Sequence, residues 1–189
     1  MAEFESAGPR LQLDALDLGQ NLLRDVGTEY VALVPCLHEL KALRLDRCEL
    51  TLTGAAIFAK KASFLGGLRR LDVAHNYFGA TGLGGLLERK PRTLHTLLMR
   101  DNDLLDEGAE LLSRSPASNT LIELDLSQNG LGEGVAQALG DSTQLRGLLI
   151  LHLADNSISR SAVDSLTASA LGQRILTLEL REASRVPSG

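Results

Sequence analysis

The sequence predicts a curved α/β solenoid, with a parallel sheet on its concave side and helices on its convex side. Three observations predict it. The pattern L-x-x-L-x-L-x-x-N-x-L returns at a nearly constant interval. The centre of each copy reads apolar–polar–apolar, as a strand with one buried face does. The segments between copies repeat apolar residues at every third and fourth position, as amphipathic helices do.

The strands come first. The pattern stands as "LDALDLGQNLL" from Leu13, "LKALRLDRCEL" from Leu40 and "LRRLDVAHNYF" from Leu68. It stands again as "LHTLLMRDNDL" from Leu94, "LIELDLSQNGL" from Leu121 and "LLILHLADNSI" from Leu148, and a shortened "ILTLELREA" starts at Ile175. Successive starts lie 27, 28, 26, 27, 27 and 27 residues apart. A period of this length marks stacked supersecondary units. It predicts one domain over residues 11–183, about six and a half repeats, with an N-terminal extension at 1–10 and a tail at 184–189.

The helices follow. Helical segments are expected at "TGAAIFAKKASFL" (53–65), "DEGAELLSRS" (106–115) and "SRSAVDSLTASAL" (159–171). In the last of these, Ala162, Val163, Leu166 and Ala170 form the apolar stripe. Gly27, Gly54, Gly82 and Gly108 each fall six residues after the Asn position, which fits a tight turn into each helix. Repeat five is one residue short in this turn.

The Asn column has a structural reason. Asn21, Asn76, Asn102, Asn129 and Asn156 sit where the backbone turns inward after the strand. A buried backbone group left without a partner there costs on the order of 1–3 kcal/mol, and a short side-chain amide both donates and accepts. Cys48 takes this position in repeat two and Ala183 in repeat seven. A thiol is a weak donor, so repeat two is expected to be the softer rung.

These repeats resemble those of the leucine-rich repeat family, in its longer ribonuclease-inhibitor-like type, over roughly residues 11–183. The resemblance implies a horseshoe that binds another protein as an inhibitor or scaffold. It also implies, as an alternative, a regulator such as the Ran GTPase-activating protein, which resembles this repeat class and acts on a GTPase. No residue here singles out a GTPase.

The residues between the leucines remain for function, because they point to the concave side. One column reads Asp17, Arg44, Asp72, Leu98, Asp125, His152 and Glu179. A second reads Ala15, Ala42, Arg70, Thr96, Glu123, Ile150 and Thr177. Beyond the second strand leucine come pairs such as Asp46/Arg47, Ala74/His75, Arg100/Asp101, Ser127/Gln128 and Arg181/Glu182. The face carries nine acids and five bases, so most of the chain's net charge of −5 falls on it. Such a surface favours a basic partner. The alternating Asp17–Arg44–Asp72 series is equally a ladder that satisfies itself, worth about 0–1 kcal/mol per exposed pair. Leu98 and Ile150 are apolar where polar residues are expected, and they flank Asp125 and His152 as a candidate contact patch. The candidate protein-binding set is Arg44, Arg47, Asp72, His75, Leu98, Arg100, Asp101, Asp125, Ile150, His152 and Glu179.

Other function classes find little support. Asp125, His152 and Ser127 are the nearest approach to a hydrolytic trio, but an open sheet supplies no oxyanion pocket. His75 beside Asp101 is discounted in the same way. His38 and His95 share no metal-ligand spacing with these residues or with Cys36 and Cys48. "GATGLGG" (79–85) lacks a phosphate-loop Lys and follows the repeat register. No catalytic residue, cofactor or metal is expected. The net charge argues against nucleic-acid binding, and no apolar run approaches the roughly 18 residues of a membrane span. Lys60, Lys61, Arg89, Lys90 and Arg92 form either a basic convex edge or a solvated face. The acidic start "MAEFESAGPR" is unlike a secretory or mitochondrial leader. The expected setting is intracellular and cytoplasmic, with an organelle interior as the alternative. No polar cap is visible at either end of the array, so we expect a hetero-complex in which a partner seals one end.

Overall fold

The computed structural model describes residues 12–180. Seven strands alternate with six helices in these residues. They are β1 (Ala15–Asp17), α1 (Arg24–Leu33), β2 (Ala42–Arg44), α2 (Leu52–Lys61), β3 (Arg70–Asp72), α3 (Gly79–Glu88) and β4 (Thr96–Leu98). Then follow α4 (Leu105–Arg114), β5 (Glu123–Asp125), α5 (Gly134–Gly140), β6 (Ile150–His152), α6 (Arg160–Ala168) and β7 (Thr177–Glu179). All strands are parallel and pair in chain order, β1 to β7. The expected extension and tail, with Arg181, Glu182 and Ala183, lie outside the described residues.

The core lies between sheet and helices. The strand leucines Leu43, Leu71, Leu97, Leu124 and Leu151 are buried in one row. Leu45, Val73, Met99, Leu126 and Leu153 form the next row. The helices contribute Phe58, Leu83, Ala109, Leu112, Val135, Leu139 and Leu166. Phe58 meets Phe64 edge to face at 5.6 Å between ring centroids. Among the described residues the only other buried aromatic is Phe78, so leucine carries most of the burial.

The expected helices are each present, with shorter ends. The 53–65 segment leaves α2 at Ala62, whose backbone is extended, and continues as a 3-10 turn over Ser63–Gly67. Pro116 lacks an N–H and stops α4, leaving Ser115 extended. The last segment ends at Ala168, where the Ser169 hydroxyl caps the Leu166 carbonyl at 2.6 Å.

The glycine column has a different reason from the expected one. Gly27, Gly54, Gly82 and Gly108 lie inside the helices and none has a positive φ. What they supply is space. A Cβ on Gly82 would stand 2.9 Å from Ala55 Cβ and 3.2 Å from Phe78 Cβ, and one on Gly108 would stand 2.7 Å from Leu104 Cβ. Close approach within the first turn and against the previous helix is what excludes a side chain.

The Asn column ties the repeats together. Asn129 Oδ1 accepts from the N–H of Asn102 at 3.0 Å and of Leu104 at 3.3 Å, both in the preceding repeat. Its Nδ2 donates to Met99 O at 2.9 Å and Ser127 O at 3.0 Å. Asn76, Asn102 and Asn156 bond in the same manner. Cys48 reproduces the rung in part: its thiol reaches Leu18 O at 3.2 Å, and its sulfur is a weak acceptor for the backbone N–H of Asn21. It gives Asn21 and Leu23 no acceptor comparable to the Asn Oδ1.

Candidate protein-binding surface

The register places the concave residues in rows. Asp17, Arg44, Asp72, Leu98, Asp125, His152 and Glu179 are successive pairing partners. Ala15, Ala42, Arg70, Thr96, Glu123, Ile150 and Thr177 form the second row. A third row precedes the Asn column. Gln20, Arg47, His75, Asp101, Gln128 and Asp155 all adopt a left-handed backbone, with φ of 53–61°. That conformation costs an L-residue roughly 1–2 kcal/mol, and it turns the chain inward so that the following Asn is buried. Hydrogen bonds to the next repeat hold it, such as Arg47 N–H to Ala74 O at 2.9 Å and Gln128 N–H to Ala154 O at 2.9 Å.

The charges at the N-terminal end gather on Arg44. Its guanidinium lies 2.6 Å from Asp46 Oδ1, 3.1 Å from Asp17 Oδ2 and 3.8 Å from Asp72 Oδ2. Asp46 is buried and raises the Arg44 pKa most. The backbone N–H of Gly19, 2.9 Å away, holds the Asp17 carboxyl below its usual range, and Arg44 adds to this. Burial pushes Asp72 up, and the nearby Asp46 adds, although Ala74 N–H donates to it at 3.1 Å. Three carboxylates thus share one guanidinium. Ala15 and Ala42 floor an open trough beside them.

Further along, the charges pair off. Arg47 Nη2 donates to His75 Nε2 at 3.1 Å, and His75 Nδ1 meets Asp101 at 2.9 Å. Arg47 can only donate, so the His75 proton lies on Nδ1, toward Asp101. Arg70 reaches Glu123 at 3.4 Å, which also accepts from Thr96 Oγ1 at 3.1 Å. Arg100 bonds Gln128 at 3.1 Å and Asp155 at 3.4 Å. His152 Nδ1 meets Glu179 at 2.6 Å. Of the two readings of these charges, the self-satisfying ladder describes most of the face.

Some residues grouped in sequence are not brought together. Leu98 stands beside Asp72 and Asp125, while Ile150 stands beside Glu123 and Thr177. The charged strand β5 separates them, so they form no common patch. Asp125 and His152 are register partners, but His152 turns to Glu179 and Asp125 accepts from Ser127 N–H at 2.9 Å. Ser127 is buried. The trio is therefore not assembled. Gly79–Gly85 form the start of α3 rather than a phosphate loop. His38 faces Pro35 O at 3.0 Å. In the basic segment of the convex side, Lys61 pairs with Glu29.

Two features escaped the sequence reading. Asp46 belongs to the face by spacing, but its burial follows from Gly19 leaving room above it: a Cβ there would lie 2.0 Å from Asp46 Oδ1. The second is the position just after each repeat's first leucine. It reads Asp14, Lys41, Arg69, His95, Ile122, Leu149 and Leu176, switching from polar to aliphatic in the last three repeats.

Comparisons agree with this architecture. A family model described as Leucine Rich repeat matches residues 90–113 and 117–140, the α4 and α5 repeats with their preceding strands. The ribonuclease inhibitor of Sus scrofa is 32% identical over 161 residues, covering 79% of this chain and 34% of that protein. The chain spans about a third of the length of the curated relative it matches. With seven register-aligned parallel strands and stacked Asn rungs, the chain belongs to the leucine-rich repeat family, in its ribonuclease-inhibitor-like type.

Proposed function

We propose that this chain is a non-catalytic protein-binding module that serves as a structural or adaptor subunit of a larger hetero-complex. The observation that carries the proposal is the outward side of α1. Val26 is 66% exposed, Tyr30 72% and Leu33 59%, at helical spacing, with Leu22 at 70% beside them. The charged groups of this helix are all drawn to repeat two. Arg24 pairs with Glu49, Asp25 accepts from Thr51, and Glu29 pairs with Lys61. An apolar side stripped of charge is a contact surface. The concave residues Arg44, Arg47, Asp72, His75, Arg100, Asp101, Asp125, His152 and Glu179, with the apolar Leu98 and Ile150 among them, supply a second face of the same module.

The test is recovery of the tagged chain from its own source, with mass spectrometry and sizing of what accompanies it. A stoichiometric complex, lost on Tyr30→Lys with the circular dichroism unchanged, is expected. A monodisperse chain recovered alone overturns the reading. Cys36 and Cys48 are free, in keeping with a reducing, cytoplasmic setting. No helix among the described residues is long and apolar enough to cross a membrane.

A second reading, regulation of another enzyme through the acidic face, is favoured by the likeness to a ribonuclease inhibitor and by three carboxylates sharing Arg44. A basic enzyme partner would complete that charge balance. A ribonuclease assayed with and without the chain separates the two readings, since an adaptor leaves the rate unchanged.

A further inference from the structure

We infer that the rim where the strands begin is a second docking surface, and that its occupant is an acidic amphipathic helix of a partner protein. The inference goes beyond the α1 and concave surfaces and uses none of their residues. It starts from the switch at one repeat position. Asp14, Lys41, Arg69 and His95 are all exposed there, so the position faces solvent throughout the array. In the last three repeats it becomes Ile122, Leu149 and Leu176, exposed by 40%, 37% and 79%. Repeats five and six have neighbours on both sides, so the exposure of Ile122 and Leu149 is not an end effect. The three are linked in series through the backbone, Leu149 N–H to Ile122 O at 2.9 Å and Leu176 N–H to Leu149 O at 2.8 Å.

The spacing selects a helix. Adjacent strands lie about 4.8 Å apart, so the row from Ile122 to Leu176 spans about 10 Å. A helix rises 1.5 Å per residue, so positions i, i+4 and i+7 span about 10.5 Å. Same-face residues of an extended strand recur at nearly 7 Å, out of step with this row.

The surrounding charge selects acidic flanks. The segments leading into these strands, 115–122, 142–150 and 169–178, contain no Asp or Glu. They do contain Arg146 and Arg174, which bond only backbone carbonyls, Thr143 O at 2.8 Å for the first, and Ala170 O at 3.0 Å and Leu145 O at 2.9 Å for the second. Arg69 and Arg92 extend this edge toward repeats three and four. Among the described residues none of these four guanidiniums has a carboxylate within ion-pair distance. The concave face is the reverse, acidic and largely paired. A partner helix with three apolar residues on one side and carboxylates beside them matches both features of the rim.

The test is a methyl-labelled titration of the full chain. The probe is a designed 16-residue helical peptide with Leu at positions 5, 9 and 12 and Glu flanking them. Saturable shifts centred on Ile122, Leu149 and Leu176 are expected, weakening as salt rises. Leu149→Glu should weaken binding by about tenfold or more while leaving the remaining spectrum in place. Asp17→Asn with Asp72→Asn should leave it unchanged, which separates this inference from the concave reading. Tyr30→Lys should also leave it unchanged. Shifts confined to α1 or the concave face, equal binding of a peptide with the leucines scrambled, or binding only to vesicles of anionic lipid would each overturn it.

Discussion

Repeats two and five share one backbone and differ at almost every position between the core leucines. Lys41, Ala42, Arg44, Asp46, Arg47 and Cys48 in the first stand where Ile122, Glu123, Asp125, Ser127, Gln128 and Asn129 stand in the second. Leu43 and Leu45 correspond to Leu124 and Leu126, all buried. Repeat two gathers three carboxylates on one guanidinium and closes its turn with a thiol. Repeat five spreads its polar groups over both neighbours, Glu123 accepting from Arg70 and Thr96 and Gln128 bonding Arg100 and Asp155, and closes with an amide that makes four hydrogen bonds. The leucines set the shape, while the exposed residues between them diverge because the backbone does not depend on their side chains.

The largest break in this comparison is expected at the rungs. Asn129→Ala removes an acceptor shared by two buried N–H groups and a donor shared by two carbonyls. It should cost on the order of 3 kcal/mol or more in urea unfolding. If Cys48→Ala costs as much, the two rungs are equivalent and the contrast fails.

Next comes the charge cluster. Asp46→Ala takes the closest carboxylate from Arg44 and should cost about 1–2 kcal/mol, discounted because Arg44 is partly exposed. The matching Ser127→Ala should change stability by less than about 0.5 kcal/mol, since Asp125 bonds the Ser127 backbone rather than its hydroxyl.

A third substitution sharpens the contrast from the other side. Cys48→Asn supplies a stronger acceptor arm toward Asn21 and Leu23. A gain of up to about 1 kcal/mol is expected, limited by the exposure of Asn21. A loss in thermal midpoint would show that the thiol is sized to its site.

The smallest effect is a pH slope. Asp72 has its carboxyl pushed up by burial, so between its unfolded and folded pKa the folded state holds more protons. Stability therefore falls as pH rises through that window. Asp72→Asn keeps an acceptor for Ala74 N–H and should flatten this acid-range slope in urea midpoints. Asp17 is held low instead, so its contribution is lost as pH falls, and Asp17→Asn should not flatten the Asp72 slope.

What the sequence by itself determined is the register. Leucines recurring every 26–28 residues bury one side of each strand, and a slip would expose them, so the rows of facing residues follow directly from the spacing. The Asn ladder was legible for the same reason: an inward turn leaves backbone groups that need a short amide. The tertiary structure alone decided which partners the surface side chains take. Each has neighbours on both adjacent strands at nearly equal distance, and spacing cannot choose between them. His152 faces Asp125 on one side and Glu179 on the other, and it bonds Glu179. Arg70 passes over Thr96 to reach Glu123 two strands away. The burial of Asp46 beneath Gly19, and the space that the helix glycines leave for the preceding helix, depend on close approach between repeats, which no single repeat records.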